Sequence, residues 1–119
     1  MDFTLNEEQK AIRDLARDFA QNEIAPIAAK IDETGEFPYE TVKKMGALGL
    51  MGIEVPEANG GSGQSFVSSL IVIEELAKVD PAISVICDIQ NTLINTSFRT
   101  YGNDSQRSLY LPQIGRAHV

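Results

Sequence analysis

Polar side chains are frequent among the apolar ones in the helix that the sequence predicts over residues 80–101. Within it, Val85, Asp88, Ile89 and Thr92 share one face, because residues three and four apart are neighbours on a helix surface. The face combines two apolar residues with one carboxylate and one hydroxyl group. Such a mixture suits the wall of a cavity or a helix interface, although the same residues could simply face water. The residues alone leave both interpretations open.

Two further motifs invite a chemical interpretation. The glycine-rich loop of residues 60–63 precedes a predicted helix, as phosphate-binding loops do. Its spacing matches neither the Walker pattern nor the dinucleotide fingerprint, which favours a flexible turn. Glu74 and Glu75 suggest metal or acid–base chemistry, but no histidine is near them in sequence. Glu74 and Lys78 form an ordinary i, i+4 helix pair, which indicates a solvated face.

The composition narrows the possible functions. The 119 residues carry a net charge of −7, which argues against binding to nucleic acid or to an anionic membrane surface. Cys87 and His118 are the single cysteine and histidine, so the sequence offers no disulfide, catalytic triad or zinc set. We therefore expect no catalytic residue and no metal site in this chain. No targeting segment is visible, which predicts a cytoplasmic protein, or a mitochondrial matrix protein if a presequence is missing.

Helix caps and apolar periodicity predict an all-α fold, an antiparallel or orthogonal bundle of about five helices. The residues from Met51 to Val55 alternate weakly and predict a short extended piece, and the apolar run of residues 70–73 predicts a central position for its helix. The first predicted helix begins at a Thr4/Glu7 capping box and bends at Pro26. The second begins near Pro38, and the third spans residues 65–79. The fourth follows an Asp80 cap, and the fifth follows an Asn103/Gln106 cap.

Several stretches resemble the acyl-CoA dehydrogenase family, and their order and spacing together are specific. The resemblance covers residues 3 to about 114. It is carried by residues 49–57, 60–63, 73–80 and 90–95, by Tyr101-Gly102 and Tyr110-Leu111-Pro112, and by Leu5, Glu8, Gln9 and Ile24-Ala25-Pro26 near the start. Residues 90–95 look most like the short/branched-chain type, which acts on short and 2-methyl-branched acyl-CoA thioesters.

The resemblance implies that residues 1–113 form the N-terminal helical domain of a flavin-dependent enzyme that converts acyl-CoA to trans-2-enoyl-CoA. In family members FAD and the glutamate base lie in later domains, the enzyme is a homotetramer, and an electron-transfer flavoprotein takes the electrons. It follows that this fragment holds no catalytic or cofactor-binding residue and is inactive alone. Its share would be the acyl-pocket lining: Val85, Asp88, Ile89 and Thr92.

Two expectations remain beside this one. The chain could instead be a stand-alone helical interaction module without redox activity. Residues 114–119, Ile-Gly-Arg-Ala-His-Val, depart from the family pattern and look like the translation of a sequencing adapter. We therefore expect them to be a truncation or an artefactual tail, in which Arg116 and His118 have no function.

Overall fold

The structure, a computed structural model, describes residues 1–114 and confirms the all-α fold with five helices. Two of them, α1 and α4, are long helices in which a π-helical turn separates two α-helical segments. The helices are α1 (Glu7–Phe19, π turn Ala20–Ile24, Ala25–Thr34), α2 (Tyr39–Ala47), α3 (Phe66–Ala77), α4 (Pro81–Asp88, π turn Ile89–Ile94, Asn95–Tyr101) and α5 (Asp104–Ile114).

Helix α1 begins two residues later than the predicted capping box. Asn6, and not Thr4, is the N-cap: its Oδ1 accepts the backbone N–H of Gln9 at 2.8 Å, and Gln9 Oε1 accepts the N–H of Asn6 at 3.0 Å. The Thr4 backbone N–H donates instead to Asp2 Oδ1. Asn followed three residues later by Gln forms the same reciprocal cap as Thr with Glu, so the sequence held two overlapping start signals.

The bend predicted at Pro26 is present as the π turn Ala20–Ile24, directly before the proline. Proline has no N–H for the preceding turn, and its ring crowds the carbonyl four residues back, so the backbone widens there. The helix then continues to Thr34. Gly35 ends it with φ of 70°, a left-handed conformation that glycine adopts without penalty.

The predicted extended piece at residues 51–55 is wrong, because these residues form turns and bends with no strand partner. The segment joins α2 to α3 together with a 3-10 turn at Glu57–Asn59. Its backbone groups bond instead to the glycine-rich loop: the amides of Ser62, Gly63 and Gln64 donate to carbonyls of residues 52, 55 and 53. These three bonds, together with side chains from α4, hold the segment in place.

The core is formed where α1, α3 and α4 pack together. The central position predicted for residues 70–73 holds for Val72, which is fully buried, but not for Leu70, which is 48% exposed. On α1, Ala16 and Phe19 are buried, whereas Leu15 is exposed. None of the helices in residues 1–114 combines the length and apolar character needed to cross a membrane. The fully buried core side chains include Ile24, Met45, Leu50, Ile53, Val72, Leu76, Ile83 and Cys87.

A buried carboxylate joins α1 to α3. Glu75 was expected on a solvated face, yet it is only 6% exposed and accepts two hydrogen bonds from the Arg17 guanidinium, both at 3.1 Å. Lys78 pairs with Glu75 at 2.9 Å and not with Glu74 as predicted. The hydrogen bond from Arg17 lowers the pKa of Glu75, and the same bond raises the pKa of Arg17. Packing against α1 therefore decides which of the two neighbouring glutamates is buried.

Candidate functional site

The predicted face of α4 lies on the outer side of the helix. Val85 and Ile89 are 50% and 42% exposed, although both are apolar, and Asp88 and Thr92 are half-buried. The Thr92 hydroxyl donates to the Asp88 backbone carbonyl at 2.8 Å and lies 3.0 Å from its carboxylate Oδ1. The structure thus keeps these four residues at one surface, apolar at Val85 and polar at Thr92.

The inner side of the same helix carries a buried polar network that sequence analysis did not identify. Asn91 is fully buried: its Oδ1 accepts the Ile53 backbone N–H at 2.9 Å, and its Nδ2 donates to the carbonyls of Leu50 and Cys87, both at 2.9 Å. Asn95, 1% exposed, donates to the Met51 carbonyl at 2.9 Å. These two amides satisfy the backbone of the segment between α2 and α3, which has no strand partner to do so.

The π turn at Ile89–Ile94 makes this network possible. In a regular α-helix, residues four apart advance by about 40° beyond a full turn, so Cys87, Asn91 and Asn95 would rotate away from a common neighbour. The π turn takes up one extra residue, and the Asn95 N–H donates to the Gln90 carbonyl. As a result all three side chains reach the backbone of residues 50–53. Isolated π turns of this kind occur often at functional sites.

A cavity of about 500 Å³ adjoins the outer side of α4 and shares Thr92 with the predicted face. Its charged members are Glu54 and Arg99, whose Oε1 and Nη1 atoms lie 4.0 Å apart. Glu54 Oε2 also accepts a hydrogen bond from the hydroxyl of buried Ser69 at 3.1 Å. The cavity is lined by Glu54, Phe66, Thr92, Thr96, Arg99 and Thr100.

The glycine-rich loop does not form a phosphate cradle. The backbone amides of residues 60 to 63 all donate to carbonyls of the chain itself, at 2.9 to 3.1 Å, and none is left for an anion. A Cβ on Gly61 would overlap the Val55 carbonyl, so this glycine allows the glycine-rich loop to pack closely against the segment of residues 51–55. The loop is therefore an ordered turn, tighter than the flexible one expected.

Neither the buried side chains nor the glycine-rich loop of residues 1–114 offers a free polar group to FAD, the cofactor that the resemblance implies. No buried side-chain nitrogen or oxygen among residues 1–114 lacks a hydrogen-bond partner, and the one loop with phosphate-like composition uses its amides internally. Cys87 is equally unsuited to chemistry, because burial raises the pKa of its thiol to about 12. We derive no redox step from these residues.

The family is established by direct comparison. The sequence model described as "Acyl-CoA dehydrogenase, N-terminal domain" matches residues 6–118. The short/branched chain specific acyl-CoA dehydrogenase of Bos taurus, a mitochondrial protein, is 43% identical over 111 residues, which cover 93% of this chain and 26% of that protein. The short-chain specific acyl-CoA dehydrogenase of Clostridium acetobutylicum is 42% identical over 116 residues, which cover 98% of this chain and 31% of that protein.

Solved structures agree with this assignment. Butyryl-CoA dehydrogenase from Megasphaera elsdenii superposes with a TM-score of 0.92 at 28% identity, over 98% of this chain and 31% of that one. A chain in the structure of the electron transferring flavoprotein of Acidaminococcus fermentans gives a TM-score of 0.95 at 34% identity, over 100% of this chain and 32% of that one. The chain thus spans about a quarter to a third of the proteins it matches, and it belongs to the acyl-CoA dehydrogenase family, as an N-terminal helical domain.

Proposed function

We propose that this chain is the N-terminal part of a flavin-dependent acyl-CoA dehydrogenase that oxidises short or branched-chain acyl-CoA thioesters to trans-2-enoyl-CoA. The family match over residues 6–118 and the names of its relatives support the reaction and the substrate class. We propose further that FAD and the catalytic base belong to parts of the enzyme outside this chain, and that residues 1–113 alone are inactive.

The contribution of this domain, in our proposal, is a wall of the acyl pocket formed by Val85, Asp88, Ile89 and Thr92. The observation that carries it is the half-exposure of two aliphatic side chains, Val85 and Ile89, on a helix whose opposite side is fixed by buried hydrogen bonds. An apolar chain lying on them would remove this surface from water, which is favourable in proportion to the area covered. The fixed helix would keep the wall in one place.

We propose further, from the family resemblance, that the complete enzyme is a homotetramer and passes electrons to an electron-transfer flavoprotein. The net charge of −7 of this chain disfavours binding to nucleic acid or to an anionic membrane surface. The enzyme's compartment would be the cytoplasm, or the mitochondrial matrix if a presequence directs it there, since the relatives include a mitochondrial and a bacterial enzyme.

The wall can be tested in a chimera in which residues 1–113 replace the matching segment of the Clostridium acetobutylicum enzyme. Thr92→Phe in this chimera should raise KM for octanoyl-CoA at least about tenfold more than KM for butyryl-CoA, because the added ring takes up space that a longer chain needs. Steady-state kinetics with the two thioesters measures the difference.

Leu109→Phe is the matched control, an exposed apolar residue on α5 outside the proposed wall, and it should leave the ratio of the two KM values unchanged. An unaltered chain-length profile in Thr92→Phe would remove Thr92 from the wall. A chimera that binds FAD but turns over neither thioester would contradict the proposed function as a whole.

A further inference from the structure

We propose that Glu54 and Arg99 determine the longest acyl chain that the site accepts, by keeping the Thr92 end of the wall charged. This inference rests on the proposed function and adds to it the groups that define the substrate class. Neither residue lies in the predicted wall, and both line the cavity of about 500 Å³ that adjoins it.

The position of Glu54 is fixed from two sides. Its neighbour Ile53 donates its backbone N–H to buried Asn91 of α4, and its own Oε2 accepts the hydroxyl hydrogen of buried Ser69 of α3. The Glu54 side chain is consequently only 16% exposed, in a segment that contains no helix or strand. Two helices therefore hold this carboxylate at the cavity edge.

Arg99 completes the charged end from α4 itself. Its guanidinium Nη1 lies 4.0 Å from Glu54 Oε1, and its side chain remains 37% exposed. Between this pair and the apolar part of the wall lie the hydroxyl groups of Thr92 and Thr96. Along α4 the surface thus changes from the aliphatic side chains of Val85 and Ile89, with the Asp88 carboxylate beside them and bonded to the Thr92 hydroxyl, to hydroxyl groups and then to the ion pair.

Because of this gradient, the strength of binding depends on the length of the acyl chain. Each methylene group placed on the aliphatic part would strengthen binding by about fourfold, because apolar surface leaves water. A methylene placed beyond Thr92 would displace water from the Glu54–Arg99 ion pair without offering a hydrogen bond in its place. The desolvation penalty of the two charged groups would then weaken binding. Short chains, and chains branched near the thioester, would use the aliphatic part and leave the pair hydrated.

The test is the double substitution Glu54→Gln with Arg99→Met in the same chimera. Gln keeps an oxygen that accepts the Ser69 hydrogen bond, so the fixed position of residue 54 is retained while both charges are removed. The ratio of kcat/KM for octanoyl-CoA to that for butyryl-CoA should rise about tenfold or more. Each single substitution should raise the ratio less, because it leaves one unpaired charge.

Glu40→Gln with Lys43→Met is the matched control, since this exposed i, i+3 pair on α2 lies outside the cavity. It should leave the ratio as it is. An unchanged ratio in Glu54→Gln/Arg99→Met, or a loss that is equal for both thioesters, would overturn the inference while leaving the proposed function intact. If the unsubstituted chimera with FAD bound oxidises neither thioester, the proposed function is at fault, and this inference falls with it.

Discussion

Helices α1 and α4 are each widened by one π turn, but for different reasons. In α1 the turn Ala20–Ile24 comes directly before Pro26, and its buried residues, Ala20 and Ile24, are apolar. In α4 the turn Ile89–Ile94 has no proline, and its buried residue is Asn91, which bonds to a backbone segment 38 residues earlier in the chain. The π turn of α1 thus has a local cause and is stabilised by apolar packing, whereas the π turn of α4 is stabilised by hydrogen bonds to a segment distant in sequence.

The difference teaches which irregularity bears on the proposed site. The α1 turn contributes Ala20 and Ile24 to the hydrophobic core. The α4 turn fixes the side of the helix opposite to Val85 and Ile89, and it also holds the segment that carries Glu54. Disturbing the second turn should therefore affect both stability and substrate selection, whereas disturbing the first should affect stability alone.

The largest expected effect is that of Asn91→Leu. The substitution leaves the buried Ile53 N–H without a partner and the Leu50 carbonyl with only the weak Cys87 thiol donor, which should lower the free energy of unfolding by about 3 kcal/mol. Urea denaturation of the chain measures it. The exposed asparagine of the α1 turn supplies the control: Asn22→Leu should change the free energy of unfolding by less than about 0.5 kcal/mol. Equal losses in both variants would mean that the two turns do not differ in the way described.

A smaller effect is expected at the ion pair between α1 and α3. The pKa of Glu75 is lowered in the folded state, so its stabilisation is present above the ordinary carboxyl pKa and is lost as pH falls through the folded-state value. At pH 7, Glu75→Gln should lower the free energy of unfolding by about 1–2 kcal/mol. The effect is this small because Arg17 is half exposed and solvent screens its charge.

The pH series is the sharper part of this second measurement. The gap between the parent chain and Glu75→Gln should narrow as the pH falls below the ordinary carboxyl pKa, and it should close below the lowered folded-state pKa, where the carboxyl group is protonated in both states. Glu40→Gln, at an exposed pair, should show almost no gap at any pH. A gap that stays constant from pH 7 to pH 3 would show that the charge of Glu75 does not stabilise the fold.

The sequence predicted those features that are decided within a few residues. The Asp80 cap followed by Pro81 begins α4 as expected, and the reciprocal Asn103/Gln106 cap begins α5, because each signal acts on the turn next to it. The end of α1 at Gly35 and the bend before Pro26 are local in the same sense. The Thr4 start failed because Asn6 with Gln9 forms an equivalent cap two residues later.

Features that depend on long-range partners could not be predicted. Glu75 and Glu74 are identical by local pattern, and only Arg17, 58 residues earlier, selects Glu75 for burial. The role of Asn91 and the cavity position of Glu54 likewise appear only when α4 packs on the segment after α2. The face of Val85, Asp88, Ile89 and Thr92 was found from helical spacing, but its use as an acyl wall remains our proposal. The expected boundary at residue 113 lies within α5, and residues 115–119 lie outside the described part.

The most direct test of the account is a crystal structure of the chimera with FAD and a bound, unreactive butyryl-CoA analogue. We expect the terminal carbons of the acyl chain to lie within about 4.5 Å of Val85 or Ile89, the distance of apolar contact. We also expect the α4 turn at Ile89–Ile94 and the Asn91 bond to Ile53 to be retained. An acyl chain that contacts neither Val85 nor Ile89 would contradict the assignment of this face as the wall of the acyl pocket.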